Sequence, residues 1–384
     1  MTILTTTAEV EAFCAGLAGA DFVAVDTEFL RDSTYWPRLC LIQVAGPDAV
    51  AAIDPLAPDI SLDAFQAILD DEKILKVFHA GRQDLEIFFH RVGRLPSPIF
   101  DTQVAGMVTG FGESASYETL VNKLAGAQLD KHSRFTDWAQ RPLTDRQLAY
   151  ALDDVIHLRT IYTRLSKKLA KSGREAWLQD EMRILTDPNT FRLEPEDAWK
   201  RLKLRTEKPR LLAVLKELAA WRETEAQKRD LPRNRVIKDE TLLEIATQMP
   251  TDAHKLARTR GLSSGFAEGK WGEAILAAIN RGLAVPAEDC PKPGPRIDLP
   301  PGLGPTVELL KVLLRYKADE HDVAPKLLAN SSDLERLAAD DDAPIPALSG
   351  WRKELFGDDA LKLKHGQLAL GIEKKRIKLV PAPE

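Results

Sequence analysis

Over the first hundred positions, apolar residues come in short unbroken runs. Phe22-Val23-Ala24-Val25, Leu39-Cys40-Leu41-Ile42-Gln43-Val44, Ala49-Val50-Ala51-Ala52-Ile53, Ile74-Leu75-Lys76-Val77-Phe78 and Ile99-Phe100 read as five strands, rich in Val, Ile and Phe and bounded by turn formers. Only Gly46-Pro47-Asp48 separates the second run from the third, and such short links predict a meander of the first three strands. Leu62 to Leu69 and Leu85 to Val92 carry the helical period instead. The pattern predicts a mixed five-stranded sheet with flanking helices, an α/β fold. After Asp101 the chain turns mainly helical. Thr144 with Gln147 three residues on is a helix-start signal, and a helix to about Lys171 carries the stripe Leu148, Leu152, Val155.

A second region opens near residue 200. Trp199 to Lys238 holds thirteen Lys and Arg against five Asp and Glu, a basic stretch suited to a polyanion or to a solvated face of charge pairs. Leu215-Lys216-x-Leu218-x-x-Trp221-Arg222-x-x-Glu225 is matched by Leu310-Lys311-x-Leu313-x-x-Tyr316-Lys317-x-x-Glu320. Leu231-Pro232-Arg233 is likewise matched by Ala324-Pro325-Lys326, so an all-helical unit of about eighty residues occurs twice, without strand signals. A Pro-rich stretch, 289–301, reads as a semi-rigid linker. The expected organisation is 1–197, 203–288, linker 289–301, and 302–380.

Composition narrows the class. The 384 residues are 44% apolar and 29% charged, with a net charge of −5, which excludes a uniformly basic nucleic-acid binder. No apolar run approaches the roughly 20 residues that span a bilayer. The N-terminus lacks a signal-like pattern, and Cys14, Cys40 and Cys290 have neither pairing nor metal-ligand spacing. A cytoplasmic protein without membrane contact is expected.

Candidate chemistry begins at Asp26-Thr27-Glu28. Residues two apart on a strand share a face, so a strand apolar up to Val25 ends in two carboxylates on one side. Either they are solvated at an exposed strand end or something positive compensates them. Asp84 follows another strand end. Tyr150 and Asp154 share a face of the long helix, nearly opposite its apolar stripe, with Asp153 a rival about 100° away.

Asp26-Thr27-Glu28-Phe29, His79-Ala80-Gly81-Arg82-Gln83-Asp84 and Tyr150-x-x-x-Asp154 resemble, in order and spacing, the three motifs of the DEDD exonuclease superfamily, tyrosine subgroup. Tyr35-Trp36-Pro37-Arg38-Leu39-x-Leu41-Ile42-Gln43, Phe100-Asp101-Thr102-Gln103 and Ser133-x-x-x-Asp137-Trp138 extend the likeness to the bacterial ribonuclease D family. The duplicated helical unit resembles the HRDC domain, which that family carries in tandem. The resemblance implies a ribonuclease H-like nuclease domain and 3′→5′ exoribonuclease activity. It further implies release of nucleoside 5′-monophosphates and trimming of the 3′ ends of tRNA precursors and other small structured RNAs, with no stable protein partner. Its cofactors would be two divalent ions, Mg²⁺ or Mn²⁺, which activate a water and neutralise the leaving oxygen; both are hard cations served by carboxylate oxygens. Asp26 would bridge the ions, Glu28 and Asp154 hold the ion that binds the attacking water, and Asp84 support the other. A tyrosine hydroxyl, with an ordinary pKa of about 10, is a poor base at neutral pH, so Tyr150 is expected to orient the water.

His79 and His90 are either phosphate contacts or packed core histidines. Phe29 either stacks on the terminal base or fills the core, and Arg38 and Arg134 are candidate contacts to the RNA backbone. The competing readings are a DNA 3′→5′ exonuclease and a non-catalytic RNA-binding adaptor. Intact acids and Tyr150 disfavour the adaptor. The helical repeats are expected to add RNA affinity without adding chemistry.

Overall fold

The computed structural model describes residues 2–129, 136–203, 208–292 and 300–382. These form two compact units. One comprises Met1–Glu28, Cys40–Asp187 and Ile297–Glu384; the other comprises Phe29–Leu39 and Pro188–Arg296.

The first unit is built on a sheet of six strands, one more than expected. They are β1 (Ile3–Leu4), β2 (Phe22–Leu30), β3 (Arg38–Ala45), β4 (Val50–Ile53), β5 (Leu75–Phe78) and β6 (Ile99–Asp101), in the order β1-β4-β3-β2-β5-β6. The meander β2-β3-β4 is present. β3 and β4 run antiparallel, while β2, β5 and β6 run parallel, so the sheet is mixed. The additional strand is only two residues long. It joins β4 in parallel through Ile3 opposite Ala52 and Leu4 opposite Ile53, and a two-residue strand has no alternation to read. Val23, Ala24, Val25, Cys40, Leu41 and Ile42 are fully buried, so the centre of the sheet is covered on both faces.

Helices α1 (Thr7–Gly16) and α2 (Asp63–Asp70) pack on each other, and α3 (Arg82–Val92) follows β5 directly. Next come α4 (Thr102–Val108), α5 (Tyr117–Leu120), the long α6 (Asp145–Ser172) and α7 (Glu175–Leu185). α6 starts as the sequence dictates: Thr144 accepts from the Gln147 amide while Gln147 accepts from that of Thr144. Its stripe Leu148, Leu152, Val155 is buried, and the helix packs along β4 and β5. Lys76 lies in β5 with no exposed surface and donates to the carbonyls of Asp71 and Ser97.

The other unit contains α8 (Pro209–Arg229), α9 (Arg233–Val236), α10 (Asp239–Gln248), α11 (Ala253–Leu256), α12 (Ser264–Ala267) and α13 (Lys270–Ala284) around a core of Leu215, Leu218, Ile245 and Ile279. The segment 29–39 is part of it. Tyr35 is buried with Ala226 and Val236, donates to Glu223, and accepts from Arg233 at 3.0 Å. Asp230 receives the backbone N–H groups of Tyr35 and Trp36 at 3.0 and 2.9 Å.

The second repeat belongs to the first unit, with α14 (Gly304–His321), α15 (Pro325–Leu328), α16 (Ser331–Ala339), α17 (Gly350–Arg352) and α18 (Asp358–Lys364). α8, α9 and α10 correspond in order to α14, α15 and α16. Arg222 and Lys317, matched in sequence, are both buried cations with a carboxylate partner, Asp239 at 2.5 Å and Asp359 at 2.7 Å. The expectation of a unit without strands fails here. β7 (Leu368–Glu373) and β8 (Arg376–Pro381) form an antiparallel hairpin. Its turn residues Lys374 and Lys375 take positive φ of 49° and 66°, a turn normally announced by Asn-Gly or Asp-Gly, so the sequence carries no signal for it.

Within its unit this second repeat is tied to the nuclease helices. Trp351 stacks on Trp177, with centroids 4.4 Å apart and planes 10° apart. Arg352 pairs with the half-buried Glu181, and Arg174 donates to the carbonyls of His321 and Asp322. Among the described residues, no helix is long and apolar enough to cross a membrane.

Candidate active site

Asp26 and Glu28 project from the same face of β2, and α6 brings Asp154 to them. One carboxylate oxygen from each lies within 4.8 Å of the other two. Asp84 enters from the first turn of α3, is 6% exposed, and accepts from the Thr27 hydroxyl. The four acids press on one another. Burial, then Asp154, pushes Asp26 up to about 8; burial, then Asp26, Asp154 and Asp84, pushes Glu28 up to about 9. Asp84 is raised by burial and by Asp26. These shifts mark a site suited to receiving positive charge. Its donors are carboxylate oxygens, the set preferred by Mg²⁺ and Mn²⁺, so the residues fit such ions.

A cavity of about 460 Å³ opens at the acids, lined by Asp26, Asp154, Tyr150, His79, Ser116, Tyr117, Glu118 and Gln103, among others. Tyr150 packs near Trp138, with centroids 6.2 Å apart and Trp138 buried. Asp153 does not line the cavity, and its backbone carbonyl accepts from the Tyr117 hydroxyl at 2.9 Å. Tyr117 was not singled out in the sequence, because it lies on a four-residue helix with no partner at readable spacing. Its hydroxyl pKa is raised by burial and by Asp154 and Asp26, so it stays protonated and keeps its one proton on the Asp153 carbonyl.

The approach to Asp84 is shaped by Asp101, the N-cap of α4. Its Oδ1 accepts from Ala80, Gln103 and Val104 at 3.2, 2.8 and 3.2 Å, and its Oδ2 accepts from Gly81 at 2.8 Å. These bonds hold the turn His79-Ala80-Gly81, in which Ala80 has a φ of 54°, in the left-handed region. At Gly81 a Cβ would come within 2.6 Å of Phe78 Cβ, so the residue must be glycine. His79 Nδ1 lies 3.0 Å from Thr102 Oγ1, which donates to the carbonyl of Phe78; the imidazole therefore donates from Nδ1. Burial lowers the His79 pKa, so the ring is neutral and turns Nε2 elsewhere as an acceptor.

The remaining candidates fall outside this constellation. His90 lies on α3 with Nε2 4.0 Å from Glu86 and does not line the cavity. Phe29 is half-buried on β2 next to Glu28, and Arg38 is exposed at the start of β3. Arg134 and Ser133 lie outside the described residues.

The pattern of the 3′-5′ exonuclease family matches residues 1–170, and that of the HRDC domain matches residues 212–279. The chain is 52% identical to ribonuclease D of Nitrobacter hamburgensis, covering 98% of both chains. It is 49% identical to ribonuclease D of Granulibacter bethesdensis, over 99% of this chain and 96% of the relative. The crystal structure of Escherichia coli RNase D, described as an exoribonuclease involved in structured RNA processing, superposes with a TM-score of 0.82 at 32% identity, covering 95% of this chain and 98% of that one. A nuclease sheet carrying the clustered acids, a helical domain after it and full-length likeness agree: the chain belongs to the ribonuclease D family of 3′→5′ exoribonucleases.

Proposed function

We propose that this chain removes nucleotides from RNA 3′ ends by hydrolysis at the Asp26, Glu28, Asp84 and Asp154 cluster, releasing nucleoside 5′-monophosphates. The observation that carries the reading is the close set of carboxylates whose proton affinity is raised by burial and by one another. Two Mg²⁺ or Mn²⁺ ions would be held there, Asp26 shared between them, Glu28 and Asp154 on one and Asp84 on the other. When bound, such ions activate a water and stabilise charge on the leaving oxygen. The chain's own residues do the rest. Tyr150 orients the attacking water by hydrogen bonding, Tyr117 ties the cavity wall to the Asp153 carbonyl, and Thr27 fixes the Asp84 carboxylate.

The substrates proposed are 3′ ends of tRNA precursors and other small structured RNAs, in the cytoplasm. The Escherichia coli relative's description as a structured-RNA processing enzyme supports that choice. The helical repeats, 203–288 and 302–380, act as tandem HRDC domains joined by the linker 289–301, and the first contributes RNA affinity through its basic stretch.

The deciding assay follows RNA labelled at its 5′ end, with EDTA, Mg²⁺ and Mn²⁺ arms and a DNA oligonucleotide of the same sequence. Stepwise shortening from the 3′ end, abolished by EDTA and restored by Mg²⁺ or Mn²⁺, is expected for RNA. Cleavage that persists in EDTA, or that prefers DNA, overturns the proposal.

A further inference from the structure

Within the unit that holds α8–α13, a cavity of about 370 Å³ is lined by Arg31, Arg201, Arg222 and Arg233 together with Tyr35 and Asp239. We propose that it binds a phosphate group. The inference rests on the reading that this helical domain handles RNA, and narrows that reading to one place.

Charge comes first. Among the described residues, four guanidinium groups line the cavity, with Asp239 on its wall and Glu223 behind it, so positive charge predominates. A cation is repelled there, and an apolar group has no reason to enter.

Arg233, Arg222 and Arg201 also differ in how their donors are used. Arg233 is committed: Nε and Nη2 donate to Glu223 at 2.6 Å each, and Nη2 also reaches the Tyr35 hydroxyl. It builds the wall. Arg222 is 3% exposed, and its hydrogen bonds, to the Ile237 carbonyl at 3.1 Å and to Asp239 at 2.5 Å, both leave from Nη1. Its Nε is shielded from solvent and has no hydrogen-bond partner among the described residues. Among the described residues, Arg201 has one long contact, 3.5 Å to Glu223, and is 48% exposed. Guanidinium forks with donors to spare match phosphate oxygens in planar pairs, which a lysine ammonium cannot do. The volume admits a phosphodiester with its flanking ribose, or a mononucleotide. The same chemistry therefore has two sources, the RNA backbone and the terminal phosphate of a released nucleoside 5′-monophosphate.

The test uses the full chain in EDTA, so that bound RNA is not cleaved. Anisotropy of a labelled single-stranded RNA 12-mer is read from 50 to 200 mM salt, and adenosine 5′-monophosphate is titrated by calorimetry. The variants are Arg201→Ala, Arg31→Ala/Arg201→Ala and Arg201→Lys, with Lys228→Ala/Lys238→Ala as an exposed control on the same basic stretch. If the cavity takes an RNA phosphate, the double arginine variant binds RNA about tenfold more weakly at 100 mM salt. Its salt slope then falls by about 1, and Arg201→Lys recovers only part of the loss. If the nucleotide is the ligand, its affinity falls about tenfold while that of RNA is unchanged, which also supports the site. Wild-type affinity of the arginine variants for both overturns it. Should the lysine control alone weaken RNA binding, the domain binds RNA elsewhere and only the cavity is refuted. If no variant changes RNA binding and nucleotide binding is also unchanged, both the cavity and the RNA role of this stretch fail.

Discussion

Replacing Asp101 by Asn tests whether a residue outside the acid cluster sets its geometry. The carboxylate receives four backbone N–H groups, three on Oδ1 and one on Oδ2. The amide of Asn has one oxygen, so if it keeps the Oδ1 set its NH₂ faces the Gly81 N–H. One charge-assisted bond is lost and a buried donor is stranded, together worth on the order of 3 kcal/mol. At roughly 2–4 °C per kcal/mol for a unit of this size, the melting temperature should fall by about 6–12 °C. Function should fall as well, because Gly81 leads directly into α3, whose first turn carries Asp84. A shift of about 1 Å at a reacting group costs on the order of 10²-fold in rate. Thermal unfolding gives the first quantity, and turnover of a short RNA at 15 °C in saturating Mg²⁺, where the variant is folded, gives the second. A variant that melts early yet turns over at the wild-type rate refutes the link from Asp101 to Asp84. Wild-type stability refutes the energetic reasoning itself.

Asp154→Asn should abolish turnover in Mg²⁺, yet raise the melting temperature in EDTA by a few degrees, because it removes one of the mutually repelling acids; Asp153→Asn should do neither, and the reverse pattern would exchange their roles. Tyr150→Phe should lower kcat by roughly 10²-fold with KM little changed, in a single-turnover assay, since only positioning is lost; full activity would leave Tyr150 a packing residue. Burial pulls the Lys76 ammonium down to about 8, so between that pH and 10.5 the unfolded chain holds the proton more tightly than the folded one, and stability rises with pH. Relative to Lys76→Met, the wild type should gain on the order of 2 kcal/mol between pH 7.5 and 9.5 in urea titrations, and a parallel response of the two proteins would contradict this. Arg352→Ala should destabilise the first unit by about 3 kcal/mol, because Glu181, which burial already pushes towards its neutral form, is left half-buried without its partner; chemical denaturation reads this directly.

Much of the site was legible because acids break an apolar pattern. Asp26 and Glu28 end a run that would otherwise read as core, and Tyr150 and Asp154 stand off the stripe of an otherwise ordinary amphipathic helix. What stayed hidden has a common cause, separation along the chain or a short local span. Tyr35 and Glu223 are 188 residues apart, and nothing in either neighbourhood points to the other. Asp101 looks like a helix cap and is one, yet its second oxygen serves a turn twenty residues earlier. β1 is too short to show a period, and the β7–β8 turn forces two lysines into positive φ without the glycine that usually marks it. The second repeat read as a separate helical domain, 302–380, after a linker. Trp351, Arg352 and the carbonyls of His321 and Asp322 make it part of the nuclease unit, so a cut after residue 200 would strip support from α7 as well as remove helices. The 1–200 fragment is then expected to be unstable in a protease-susceptibility assay.

The pairing of Tyr35 with Glu223 has a further meaning while the chain is being made. At about 5–20 residues per second, the 188 residues between them take roughly 10–40 s to follow. For that interval Tyr35 and Trp36, two large aromatics, lack the α8 and α9 residues that cover Tyr35 in the fold, beside the strand that carries Asp26 and Glu28. The loop that follows Glu28 reaches its final shape only once most of the message has been read.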